Sequence, residues 1–313
     1  MIRMLTGVLG RFALTLFAAS VIIFALMRAV PGNPARVALG VNATEEAVAE
    51  LTSQLGLDRP LPVQYWEWMS GLLRGNIGTS LSSAQDITPL VIDRAQVSLI
   101  LVSLAMLLAL AGAIPIGTWL AQRQGTPAAT VVTAATQVGI AVPSFLVGIL
   151  LVALFSVQLG WLPANGWVPP ERPGFIRHLI MPVVALVLVQ GAILTRYVRS
   201  AVLNEAGQDY IRTARSLGAS RAGAIYRHGL RNAALPVLTV AGMQLTTLII
   251  GAVVIESVFV IPGLGTMLLD AVAVRDLTTV QTLVMLLVAF TLAINLLTDI
   301  AYRLIDPRLR EAA

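Results

Sequence analysis

The 313-residue chain contains no cysteine, which excludes disulfides, thiol nucleophiles and thiolate metal sites. It contains no lysine either, and all 21 basic residues are arginine. That uniformity reads as the codon bias of a GC-rich genome rather than as chemistry. It still rules out a Gly-x-x-x-x-Gly-Lys-Ser/Thr phosphate loop, which cannot exist without its lysine. Histidine is nearly absent: His178 and His228 lie 50 positions apart, a poor basis for a transition-metal site made by protein ligands alone. Charge is scarce, at 12% of residues, against roughly 25% in a soluble domain. The net charge of +5 does not point to nucleic acid, because the arginines are spread along the flanks of apolar runs. No internal repeat is visible, which weighs against secondary transporters built from paired repeats.

Apolar residues are what the chain has in excess, at 57%. A helix of about 20 apolar residues crosses the hydrocarbon core of a bilayer. Six runs meet that length, at 12–30, 97–121, 128–159, 179–198, 234–259 and 278–302. They predict a single all-α polytopic domain, 1–313, with six transmembrane helices. The third run is long enough to tilt, or to break near Pro143. Pro115, Pro182 and Pro236 also fall in or beside spans, where neighbouring helices can satisfy the freed backbone groups. Arg3 and Arg11 precede the first run as in a signal peptide. The run is long, however, and no Ala-x-Ala-like site follows, so a retained helix is expected.

Arginine placement sets the orientation. With the N-terminus inside, thirteen arginines and five acids fall on the inner side, for +8; the outer side nets −3. The positive-inside rule then puts both termini and the loop at 204–233 in the cytoplasm. Segment 31–96 lies outside. In it Thr44 is suited to cap a helix opening with Glu45 and Glu46, acids that favour a helix N-terminus. After Pro60 and Pro62 comes an aromatic helix at 65–73. Its Trp66 and Trp68 either rest at the membrane–water interface or form a docking face.

Residues 204–236, NEAGQDYIRTARSLGASRAGAIYRHGLRNAALP, form an arginine-rich interruption between two spans. Tyr210, Ala214 and Leu217 recur at helical spacing, and Asp209 can pair with Arg212 three residues on. Gly218 allows a sharp turn. Ala222, Ile225, Tyr226 and Gly229 then make a second apolar stripe at i, i+3, i+4, i+7, flanked by Arg221, Arg227 and Arg231. Such a helix either docks into a partner protein or lies on anionic lipid.

Within the spans, polar groups are costly and so are candidates for function. They are Gln137, Gln190, Thr195, Gln244, Thr246, Thr247, Glu256 and Asn295. Gln244, Thr247 and Gly251 share a helix face that either lines a polar route or makes ordinary interhelical hydrogen bonds, worth roughly 0.6–2 kcal/mol each. Neutral amides and hydroxyls suit a zwitterionic, variable substrate such as a peptide better than an ion. Glu256 stands just before a Pro-Gly turn at 262–265, where it meets substrate or a binding protein, or pairs with Arg94 or Arg275. Asp299 and Arg303 form a structural pair four apart on the last helix. No convergent catalytic cluster is seen, and a non-catalytic protein that binds no metal is expected.

The spacing Arg212-Thr213-Ala214, three residues, Gly218, nine residues, His228-Gly229-Leu230 resembles the cytoplasmic Glu-Ala-Ala loop of ABC importer permeases. That loop reads Glu-Ala-Ala, three residues, Gly, nine residues, Ile-x-Leu-Pro. Ala214 and Gly218 match it; Arg212 and Thr213 replace the Glu and first Ala, and Arg231 replaces the Pro. Those departures resemble the dipeptide/oligopeptide/nickel branch, as do RFALTLFAASVIIFALMRAVPGNP, LGLDRPLPVQYWEWMSGLLRGNIGTS, ESVFVIPGLG and IDPRLR, so the resemblance covers nearly the whole chain. It implies the type I importer permease fold in the bacterial cytoplasmic membrane. Expected partners are a second homologous permease, one or two ATPase subunits holding ATP and Mg, and an extracytoplasmic solute-binding protein. This chain would bind no cofactor itself. The resemblance gives the coupling role to Ala214, Gly218, Arg221, Ala222, Ile225, Tyr226, Arg227, His228 and Gly229. Gln190, Gln244, Thr247, Gly251 and Glu256 are the pathway candidates. Peptide is the expected cargo, with nickel chelate or glutathione as alternatives within the branch. An ion-coupled secondary transporter is the rival outside it.

Overall fold

The computed structural model describes residues 2–40 and 43–305, the side chains of residues 2–5, 38 and 302–305 excepted. The expected Asp299–Arg303 pair therefore lies outside the described side chains. Five helices are long and apolar enough to cross a membrane, and a bent pair makes a sixth crossing if it counts as one span. Among the described residues no strand forms beyond an isolated bridge between Thr79 and Asp86.

The chain divides into two compact units, one built on Thr6–Ser98 with Pro262–Ala293, the other on Leu99–Ile261 with the end of the last helix. The first unit begins with α1 (Ile2–Ala29). It is followed by α2 (Pro34–Leu39), capped by the Asn33 side chain. The third helix, α3 (Glu45–Gln54), is capped by Thr44, whose hydroxyl accepts from Ala47 N at 3.3 Å. That is the cap read from the sequence. In α4 (Leu61–Leu73) buried Gln64 donates to the carbonyls of Leu57 and Arg59, tying the preceding turn to the helix. Tyr65 reaches Ser20 of α1 at 2.8 Å, and the Trp68 indole N–H donates to Thr282. Phe24 packs between the two rings, 5.5 Å from Tyr65 and 6.2 Å from Trp68. Trp68 is thus half-buried and packed within its unit, while Trp66 stays exposed.

This unit also holds α12 (Leu264–Ala273), a short apolar helix that the sequence reading missed, and the first part of α13 (Leu277–Ile305). Asp276, just before α13, is its most constrained polar group. Its carboxylate accepts from the Ser80 hydroxyl at 2.5 Å and from Leu81 N at 3.1 Å. Ser82 adds a longer hydrogen bond, and the N–H and hydroxyl of Thr279 complete the set. Burial alone would raise the carboxyl's pKa, but these donors favour the charged form and hold it below the ordinary value.

The second unit takes most of α5 (Thr88–Gln122), whose 35 residues exceed the expected 97–121. The extra turns begin where Asp86 accepts from Thr88 N, with Pro89 in the first turn. Next come α6 (Pro127–Ala141), capped by Thr126, and α7 (Ser144–Leu151), continued by a π-helical stretch Val152–Gln158. The single expected run 128–159 is in fact these two pieces, bent by 99° at Val142–Pro143. Val142 adopts the extended backbone (ψ 124°) that a following proline enforces.

The centre of this unit is α8 (Phe175–Ala206). It packs most extensively on α11 (Leu230–Val258), then on α6 and α7. Apolar lipid gives helices no hydrophobic reason to associate, so close packing must do it, and small residues mark the contacts. A Cβ on Gly117 of α5 would come within 2.8 Å of Val198 and the Thr195 carbonyl of α8. Gly139 meets Ala192 in the same way, and Gly242 of α11 meets Thr298 of α13.

Candidate functional site

The interruption between α8 and α11 leaves the spans as a helix–turn–helix. Gln208 is extended, and α9 (Asp209–Ser216) starts with an acid and ends with Arg215, matching the helix dipole at both ends. Asp209 and Arg212 pair at 3.1 Å as expected, but both are so exposed that the pair contributes little. The helix stops in a Schellman turn. Gly218 N–H donates to Arg215 O, Ala219 N–H donates to Ala214 O, and Gly218 has φ 95°. A Cβ there would meet nothing within 4 Å. Glycine is needed for its left-handed backbone, not for close approach of a neighbour. Ser220 then caps α10 (Arg221–Ala224), which runs through a π-helical turn, Ile225–Gly229, directly into α11.

The structure redraws the expected docking face. Ile225 is fully buried, and Ala224 and Gly229 lie beside it, facing Ile211 of α9. Those residues fasten the turn to its own chain, so Ile225 and Gly229 do not present themselves to a partner. Leu217 is 83% exposed and Tyr226 55% exposed. Around them Gly218, Arg221, Ala222, Arg227 and His228 are exposed, and Ala214 is half-buried. The outward patch is therefore Leu217 and Tyr226 ringed by arginine, and Ile225 is not part of it. The expected stripe is thus divided, with Ala222 and Tyr226 on the exposed side and Ile225 and Gly229 on the packed one.

Tyr210, on the stripe with Ala214 and Leu217, is also a polar link. Its hydroxyl donates to Glu205 at the end of α8 and is hydrogen-bonded to Asn232 of α11. Burial and the Glu205 carboxylate together raise its pKa. One side chain thereby joins α8, α9 and α11.

The pathway candidates separate. Gln190 is buried with its Nε2 unpartnered, so it lines no surface of its unit; α8 is packed on several sides. Glu256 is also buried, and it is partnered. Gly251 faces Leu186 and Ser144 at the contact with α8 and α7. Gln244 is half-buried and Thr247 exposed, on a stripe otherwise made by Met243, Ile250 and Val254. The expected Gln244–Thr247–Gly251 face is thus divided between a surface and a packing contact. Among the described residues no cluster of His, Cys, Asp or Glu could hold a metal ion.

Membrane-length helices packed through small residues, with an exposed arginine-rich helical turn between two of them, define a polytopic membrane protein. Residues 113–311 match the family described as the binding-protein-dependent transport system inner membrane component, and residues 1–102 match the N-terminal model of such membrane components. The chain belongs to this family of multi-pass inner-membrane permease subunits, which work with ATPase and binding-protein partners and are generally non-catalytic. It is 38% identical over 293 residues, 93% of each chain, to a probable peptide ABC transporter permease protein of Sinorhizobium fredii. A putative peptide transport system permease protein of Brucella abortus is 40% identical over 93% of each chain. A glutathione transport system permease protein of Salmonella choleraesuis is 36% identical over 95% of each. In fold, the chain is similar to the MetNI methionine ABC transporter in an inward-facing conformation. The TM-score is 0.59 at 19% identity, covering 70% of this chain and 98% of that one.

Proposed function

We propose that this chain forms half of the route by which a binding-protein-dependent ABC importer takes di- and oligopeptides across the bacterial cytoplasmic membrane. The observation that carries the reading is near full-length similarity, at 38–40% identity, to permeases named for peptide transport. A second homologous permease supplies the other half. One or two cytoplasmic ATPase subunits hold ATP and Mg and grip the Leu217–Tyr226 patch. An extracytoplasmic solute-binding protein delivers the substrate. This chain itself binds no cofactor. Both termini and the α9–α10 turn lie in the cytoplasm, as the arginine bias supports. ATP binding draws the ATPases together and pushes on the turn, and the Tyr210 link passes that movement to α8 and α11.

A glutathione importer is the second reading, favoured by the Salmonella relative. The test is ATPase activity of the assembled complex in nanodiscs, with the binding protein empty or loaded. Stimulation by a dipeptide-loaded binding protein is expected. Stimulation by glutathione alone replaces the cargo, and no response to either cargo in an intact complex overturns the importer reading.

A further inference from the structure

A hollow of about 290 Å³ lies against α6 and α8 in the second unit. The α6 residues lining it share one helix face, with Ala129 and Ala134 making room and Thr130, Thr133 and Gln137 supplying polar atoms. From α8 comes a single charged group, Arg199. No acid lines the hollow, and none of the ion pairs among the described residues uses Arg199. Its Nε is shut off from solvent without a hydrogen-bond partner. The acid nearest it along α8, Glu205, is engaged with Tyr210. A half-buried guanidinium without a counter-ion is a standing demand for an anion, and its planar fork matches a carboxylate.

The other polar atoms narrow the occupant. Thr130 and Thr133 spend their hydroxyl protons on the carbonyls of Thr126 and Ala129. They therefore turn oxygen lone pairs, not donors, toward the space. The Gln137 amide offers both a donor and an acceptor. A ligand that satisfies all of them carries an oxyanion for Arg199 and N–H groups for the threonine oxygens. The carboxyl end of a peptide has both, whereas a phosphodiester group has only the first. At about 290 Å³ the space is at the small end of ligand sites, enough for the end of a short peptide. Arg199 is seven residues before Ala206, the end of α8, so about 10 Å along the helix from it. The hollow also adjoins the start of α6. Both place it at the end of the spans where the α9–α10 turn emerges.

We propose that this hollow is a subsite for the terminal carboxylate of the transported peptide, occupied near the end of the route closest to the coupling turn. The proposal rests on the peptide-importer reading above. Its test is direct binding to the assembled permease–ATPase complex in nanodiscs without binding protein, by saturation-transfer NMR. The probes are a dipeptide and the same dipeptide with its C-terminus amidated. The wild-type complex should bind the free acid at least ten-fold tighter than the amide. Arg199→Gln should abolish that preference, and Arg199→Lys should keep part of it. Ala134→Trp, which fills the hollow without touching the charge, should weaken the acid as well. That variant decides the matter if Arg199→Gln does not assemble. An undiminished preference in Arg199→Gln or in Ala134→Trp overturns the subsite. So does equal binding of acid and amide by the wild type. If the wild type discriminates but its ATPase ignores a dipeptide-loaded binding protein, the importer reading fails and not the subsite.

Discussion

Asp276 illustrates how much one side chain can organise. Four residues bring five donors to its two oxygens, three from the loop at 80–82 and two from Thr279 in the first turn of α13. Replacing it with alanine strands buried donors and removes a helix cap. Unsatisfied buried groups cost roughly 1–3 kcal/mol and caps about 1 kcal/mol, so a loss of about 2–4 kcal/mol is expected, read as a lowered Tm in detergent. The pH dependence follows from the direction of the shift. The folded carboxyl titrates below its ordinary value of 3.8. Its stabilisation is therefore complete above that value and is lost as pH falls through the lower folded one. The Tm advantage of wild type over Asp276→Asn should be constant near neutrality and shrink only in strong acid. An advantage that faded between pH 7 and 5 would assign it to some other group. Asp-x-x-Thr before an apolar run is a legible cap, so Asp276 could have been found from sequence. Its partners could not, because Ser80 is 196 positions away.

At the scale of elements, the α9–α10 turn separates outward side chains from packed ones. Leu217→Asp and Tyr226→Asp place a charge on the outward patch. Each should weaken association with the ATPase subunit by at least ten-fold while leaving the stability of the isolated permease within about 0.5 kcal/mol of wild type, as surface changes usually do. Ile225→Asp buries a charge in the contact with α9 and should lower the Tm before any effect on docking is measurable. Thermal melts and surface plasmon resonance on the same preparations distinguish the two classes. Equal destabilisation by all three would show that the patch is packed rather than exposed. The Gly218 turn was visible in sequence as glycine after a helical stripe. The burial of Ile225 was not, because it depends on how the turn packs against α9, which no fixed period anticipates.

For the molecule as a whole, the absence of cysteine makes orientation directly measurable. Ala49→Cys in the segment between α1 and α5, and Ala219→Cys in the α9–α10 turn, both replace exposed residues. In intact spheroplasts a membrane-impermeant maleimide should label the first and spare the second, and in inside-out vesicles the reverse. Labelling of both from one side would overturn the arginine-based topology, since an odd number of crossings separates the two positions when the bent pair counts as one span. The apolar stretches are what make this architecture legible. A run of membrane thickness must be helical, because lipid offers its backbone no other partners.

Length, composition and punctuation are local properties, so the sequence by itself determined where the apolar spans lie, the Thr44 cap and the Gly218 turn, while it left the run at Pro143 free to tilt or to break. Tertiary structure alone decided which face of each helix is inside. Lipid-facing and core-facing positions are both apolar, and a hydrophobic stripe cannot tell them apart. That is why Gln190 proved internal, and why Arg199 acquired meaning only once α8 had been laid against the threonines of α6.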